Sequence, residues 1–124
     1  MKCKMTAKTC VNPTEDLDKV ITAISNIFKY DNLIIEDSYI IVTGEIDSLI
    51  QLKDSLKERK IRDTAERMFI KGASNGIIKF SLSKQAAFVS VPNIVDRELS
   101  ALGEIDVTIE TDNELAFIEW MTKK

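Results

Sequence analysis

An α+β domain, with an antiparallel or mixed sheet covered by helices on one face, is the architecture this sequence predicts. Some segments alternate apolar and polar residues with a period of two. Others carry apolar residues at three- and four-residue spacing, and the two kinds follow one another as β-α-β-β-α-α-β-(β)-β-α. The third observation is length: 124 residues are enough for one core and too few for two independent ones, so residues 1–124 are expected to form a single domain.

The first strand spans residues 2–11, with Cys3, Met5, Ala7, Thr9 and Val11 on one face and Lys2, Lys4, Thr6, Lys8 and Cys10 on the other. Asn12-Pro13-Thr14-Glu15 then reads as an N-cap, a proline at the first helical position and an acid reaching back. Leu17, Val20, Ile21, Ile24, Ile27 and Phe28 follow at helical spacing. Leu33–Ile35 and Tyr39–Thr43 are β-rich runs joined by Glu36-Asp37-Ser38, a hairpin. A second helix is expected from Asp47, with Leu49, Leu52 and Leu56 inward. In one straight helix the apolar stripe would jump by about half a turn to Ile61, Ala65, Met68 and Gly72, so a break is predicted between Arg59 and Arg62. Asp63-x-x-Glu66 offers a capping box for the third helix, which Gly72 ends.

Beyond the Asn75-Gly76 turn, Ile78, Phe80 and Leu82 alternate with Lys79, Ser81 and Ser83. Residues 84–103 carry the weakest pattern; Phe88–Val91 reads as a strand that Pro92 limits. Ile105, Val107 and Ile109 form the last strand, and Thr111-x-x-Glu114 caps a helix bearing Leu115, Phe117, Ile118, Trp120 and Met121. The wide apolar arc of that helix predicts burial on more than one side or a protein contact. The polar side of the sheet is expected to be lined by Lys2, Lys4, Lys8, Lys79, Ser81 and Ser83, if those strands are neighbours.

Composition excludes several chemistries. There is no histidine, so neither a Ser-His-Asp nor a Cys-His arrangement can be assembled, and Cys3 and Cys10 alone cannot furnish a structural zinc site. Seven positions apart in one strand, the two cysteines are separated by about 23 Å at about 3.3 Å per residue, so they cannot pair and read as structural thiols. Gly44, Gly72, Gly76 and Gly103 match no phosphate loop. No catalytic residue, metal, cofactor or small-molecule substrate is expected. The apolar runs are too short for a membrane span and the N-terminus lacks a signal peptide's apolar region, which predicts a cytoplasmic protein.

Charge is segregated. Residues 53–84 carry nine cations against four acids, while residues 12–52 carry two against eight and residues 85–124 three against eight. Arg59, Lys60 and Arg62 sit at the corner between two helices, Arg67 and Lys71 lie one turn apart beyond it, and Lys84-Gln85 follow a strand. Converging cations of this kind hold phosphates, and Gln85 suits a base edge or sugar hydroxyl. The competing reading is a solvated helix face neutralised by Asp54, Glu58, Asp63 and Glu66. Phe69, Phe80 and Phe88 have core spacing, so base stacking has little support.

Val11-Asn12-Pro13-Thr14-Glu15-Asp16, the run from Leu56 to Ala65, Ser83-Lys84-Gln85-Ala86-Ala87-Phe88, the run from Leu102 to Asp112 and Phe117-Ile118-Glu119-Trp120 resemble a family of archaeal conserved proteins of unknown activity. Members are similar in fold to the large-subunit ribosomal protein that binds 5S rRNA, and the family carries an RNA-binding label resting chiefly on that similarity. Ser90-Val91-Pro92-Asn93 departs from the family's usual Gly-Lys/Arg-Val-Asn, and Ala101 stands where a proline is usual. The resemblance implies a non-enzymatic RNA-binding domain, and the charge pattern assigns its phosphate contacts to Arg59, Lys60, Arg62, Arg67, Lys71 and Lys84. A protein-interaction module, forming a homodimer or partner contact through Phe117, Trp120 and Met121, is the rival reading.

Overall fold

The computed structural model describes residues 2–95 and 103–123; Ala101 and Leu102, which entered the family resemblance, lie outside them. Strands β1 (Cys3–Cys10), β2 (Asn32–Glu36), β3 (Tyr39–Glu45), β4 (Ala73–Ser74), β5 (Ile77–Ser83), β6 (Ile94–Val95) and β7 (Glu104–Thr111) form one sheet ordered β2-β3-β1-β7-β5-β4, with β6 also on β5. Every pairing is antiparallel. Helices α1 (Leu17–Ile27), α2 (Ile50–Glu58), α3 (Arg62–Lys71) and α5 (Glu114–Thr122) cover one face, and the short α4 (Lys84–Ala87) follows β5. The inward residues of the strands, Met5 and Ala7, Ile40 and Val42, Ile78, Phe80 and Leu82, and Ile105, Val107 and Ile109, meet the helices in one core. Their neighbours in sequence face outward, as the alternation predicts.

The predicted hairpin forms, with Asp37 at φ 53°, and so does the Asn75-Gly76 turn, with both residues at positive φ. The break between α2 and α3 also forms, and its cause is a Schellman ending. Lys60 takes φ 57°, its amide donates to Lys57 O at 3.2 Å and the Ile61 amide to Leu56 O at 3.2 Å. A lysine holds the left-handed position that glycine normally fills.

Four local expectations are corrected. Asn12 and Glu15 do bond reciprocally, the Asn12 amide to Glu15 Oε1 at 2.9 Å and the Glu15 amide to Asn12 O at 2.9 Å, but they close a turn ahead of the helix. The helix begins later, with Asp16 Oδ1 accepting from the Asp18 amide at 2.9 Å. Asp63 lies in the first turn of α3, where its charge favours the helix dipole, while the N-cap position belongs to Ile61. Asn113, not Thr111, caps α5; its Oδ1 accepts from the Ala116 amide at 3.0 Å. Phe88–Val91 forms no strand, because Ser83 Oγ accepts from the Ala86 amide at 3.2 Å and starts α4, after which the chain turns through Ser90 at φ 62°. That serine occupies a conformation suited to the glycine usual in the resembled family.

Candidate nucleic-acid interface

The sheet order decides what the uncovered face presents. β7 lies between β1 and β5, so their lysines are not neighbours. Lys4 stands opposite both Glu45 and Glu110, Lys8 opposite Asp106, and Ser81 opposite the same Asp106, whose Oδ1 accepts from Ser81 Oγ at 2.9 Å. Paired residues of one face lie about 5 Å apart. The expected basic face is therefore striped with carboxylates, and it is no phosphate platform.

Lys84 is also reassigned. It is fully buried, and its ammonium donates to Cys10 O at 2.8 Å and Glu15 Oε1 at 2.9 Å, with Cys10 Sγ at 3.7 Å. These bonds tie the end of β1, the lead-in to α1 and the start of α4 at one point. A side chain sealed in this way cannot contact a phosphate. Gln85, its neighbour, is exposed. Burial alone would raise the Glu15 carboxyl, but the Asn12 amide and the Lys84 ammonium outweigh it and hold the group below the usual range. A lowered folded-state pKa stabilises the fold at pH above the ordinary glutamate value of about 4.3, and the contribution is lost as pH falls through the folded value. The thermal midpoint is accordingly expected to drop steeply below that pH; a flat midpoint across the range, followed by circular dichroism, would contradict the ion pair. Burial pushes the Cys3 thiol up to about 11, the behaviour of a structural thiol.

The remaining cations group around α3. Arg59 and Lys60 are exposed at the α2–α3 corner, whereas the half-buried Arg62 donates Nη1 to Lys123 O at 2.9 Å and serves the C-terminal end of α5. At 100° per residue, Thr64, Arg67 and Lys71 run along one flank of α3 and Glu66 and Ile70 along the other, beside α5; Asp63 lies between them, and Arg67 lines a shallow cleft with Asp63, Glu66 and Ile70, so acids offset part of this face. Lys71 also lines a gap of about 380 Å³ in the outer edge of β5, between its partners β4 and β6, and Lys79 and Asp106 line the same gap. Lys79 stays on the open face of the sheet, as the sequence assigned it, and meets Lys71 of α3 across this gap in the sheet edge. Only the packing of Gly72 against β5 could have shown this; no sequence spacing links positions 71 and 79.

The rival surface is largely internal. Phe117 and Met121 are buried in the core, Phe117 lying edge-on to Phe69 with centroids 6.3 Å apart. Trp120 is half-buried under the Lys53 ammonium, 5.6 Å from the ring centre. Burial thus accounts for Phe117, Ile118 and Met121 of the apolar arc of α5, while Leu115 at its edge stays 78% exposed. Among the described residues no group of three or more His, Cys, Asp or Glu side chains is arranged to hold a metal, and no helix is long and apolar enough to cross a membrane.

Comparison with known proteins adds an independent line. Residues 4–111 match a family model described as RNA binding. The chain is 35% identical over 118 residues to a UPF0201 protein of Methanothermobacter thermautotrophicus, spanning 95% of this chain and 89% of that protein. It is 40% identical over 120 residues to a UPF0201 protein of Sulfurisphaera tokodaii, spanning 92% and 83%. A crystal structure of a UPF0201 protein from Methanococcus jannaschii superposes with a TM-score of 0.81 at 32% identity, covering 98% of this chain and 93% of that one.

Proposed function

From a chain that belongs to the archaeal UPF0201 family, whose model carries the description RNA binding, we propose a non-enzymatic cytoplasmic RNA-binding domain that grips phosphates through Arg59, Lys60, Arg67, Lys71 and Lys79. The observation that carries the reading is the basic outer flank of α3, continued by Lys79 in the β5 gap. Lys60 adds support: a lysine kept at φ 57°, where glycine would be unstrained, implies a use for its side chain. Likeness to the ribosomal protein that binds 5S rRNA belongs to the same proposal. With a net charge of −3 the molecule's long-range field opposes polyanions, so contact depends on local geometry and is strongly weakened by salt. Gln85 remains available for a hydrogen bond to base or sugar.

Fluorescent structured RNA, titrated at two salt concentrations, tests this. A Lys60→Ala/Arg67→Ala/Lys71→Ala variant is expected to bind at least about tenfold more weakly, and its slope of log affinity against log salt is expected to shrink by roughly 0.7 to 0.9 per phosphate lost. Lys60→Gly should weaken binding while leaving stability equal or higher. Absence of binding by the wild type at low salt, or an unchanged slope in the triple variant, would refute the reading.

A further inference from the structure

The two borders of the sheet differ. Among the described residues, only the two-residue strands β4 and β6 lie beyond β5, whereas β2 runs for five residues with β3 on one side and no strand on the other. Edges of that length are normally blunted by a charge, a proline or a bulge within the strand. The middle of β2 is Leu33-Ile34-Ile35, and Ile34 and Ile35, on opposite faces, are 53% and 51% exposed.

Hydrogen-bond parity defines what this edge offers. The hairpin loop has two residues, so Glu36 and Tyr39 form the closing hydrogen-bonded pair, and Ile34–Ile41 and Asn32–Thr43 repeat it. The amide and carbonyl groups of Leu33 and Ile35 consequently point away from β3.

We propose that β2 pairs antiparallel with β2 of a second copy of this chain, about a two-fold axis through the sheet at Ile34. In that register Leu33 of each copy stands opposite Ile35 of the other and they exchange both hydrogen bonds, while Ile34 meets Ile34 on the uncovered face and Asn32 meets Glu36. A shift by two residues sets Ile34 against Glu36 or against Asn32. A shift by one mismatches both the faces and the outward groups. One register alone is therefore apolar throughout its centre, and a strand complementary to itself across a two-fold axis fits a second copy. Two copies each of net charge −3 repel one another, so salt strengthens this contact, opposite to its effect on RNA binding.

Sedimentation equilibrium from micromolar to near-millimolar protein is the test. The wild type is expected to dimerise more tightly as salt rises. Ile34→Lys, which sets two ammonium groups on the axis, and Ile35→Pro, which removes an outward donor without touching the β2–β3 ladder, are each expected to weaken the dimer at least about tenfold with unchanged far-UV circular dichroism. Hydrogen exchange on the wild type supplies a check free of any variant: protection of the Leu33 and Ile35 amides rises with protein concentration. A strict monomer, a dimer that survives Ile34→Lys, or concentration-independent exchange at these amides would overturn the proposal.

Discussion

Replacing Lys84 with methionine is expected to lower the unfolding free energy by about 3–5 kcal/mol, read from chemical denaturation at neutral pH. The substitution leaves the Glu15 carboxylate buried with its cationic partner gone, and Glu15 Oε2 already lacks a hydrogen-bond partner among the described residues. It also releases Cys10 O, which the ammonium satisfies at 2.8 Å. A Glu15→Leu/Lys84→Met double variant removes both charges and is expected to recover most of the loss, because the penalty belongs to an unpaired charge and not to the missing pair itself. A loss below about 1 kcal/mol in the single variant would show that water reaches Glu15 and that the pair behaves as a surface one. RNA affinity separates the structural role from a contact role. Where Lys84→Met remains folded, its affinity is expected to equal that of the wild type, whereas a phosphate-contacting lysine would lose affinity and salt dependence together.

Gly72→Ala is the second large effect, and two considerations give it opposite signs. Helix propensity alone favours alanine over glycine by about 1 kcal/mol. Packing opposes it, since a Cβ at position 72 would sit 1.9 Å from Lys79 O and 3.0 Å from Lys79 C, both main-chain atoms that cannot rotate away. Relief requires α3 to withdraw from β5, which stretches the bond from the Lys79 amide to Gly72 O, now 3.1 Å, and disturbs Phe69 against Phe80, whose centroids lie 4.8 Å apart. Overpacking costs about 1–3 kcal/mol, and contact with rigid main chain places this case at the upper end, so after the propensity gain of about 1 kcal/mol packing wins and a net loss of about 2 kcal/mol is expected. Thermal and urea unfolding measure it; a neutral or stabilised variant would mean that α3 is free to slide. The same displacement separates Lys71 from Lys79, so RNA affinity is expected to fall even at temperatures where the variant is folded.

How much of the site was legible depends on what each residue's role rests on. Arg59, Lys60, Arg67 and Lys71 could be picked out because exposure on a helix follows from periodicity, and the interrupted apolar stripe located the corner that carries two of them. Lys84 and Arg62 had the same appearance in one dimension. Their partners, Glu15 and the Lys123 carbonyl, are 69 and 61 positions away, and no local pattern reports a contact at that separation. For α5 the ambiguity was intrinsic: an apolar arc too wide for one face signals either a second buried side or a partner, and Phe117 and Met121 took the first option because α3 and α2 flank the helix.

By itself the sequence determined the elements. Period-two alternation in β1, β5 and β7, the turn chemistry at Asn75-Gly76 and the stripe break before α3 each rest on interactions within a few residues, and those are the interactions a linear pattern encodes. Only the tertiary structure decided the order of the strands. With β7 between β1 and β5, carboxylates of one strand came to neutralise the lysines of another, Lys79 of the open face came to share a gap with Lys71 of α3, and β2 was left, among the described residues, as the long uncovered edge. Strand order follows from which apolar faces close one core together, a sum over the whole chain that no single segment contains.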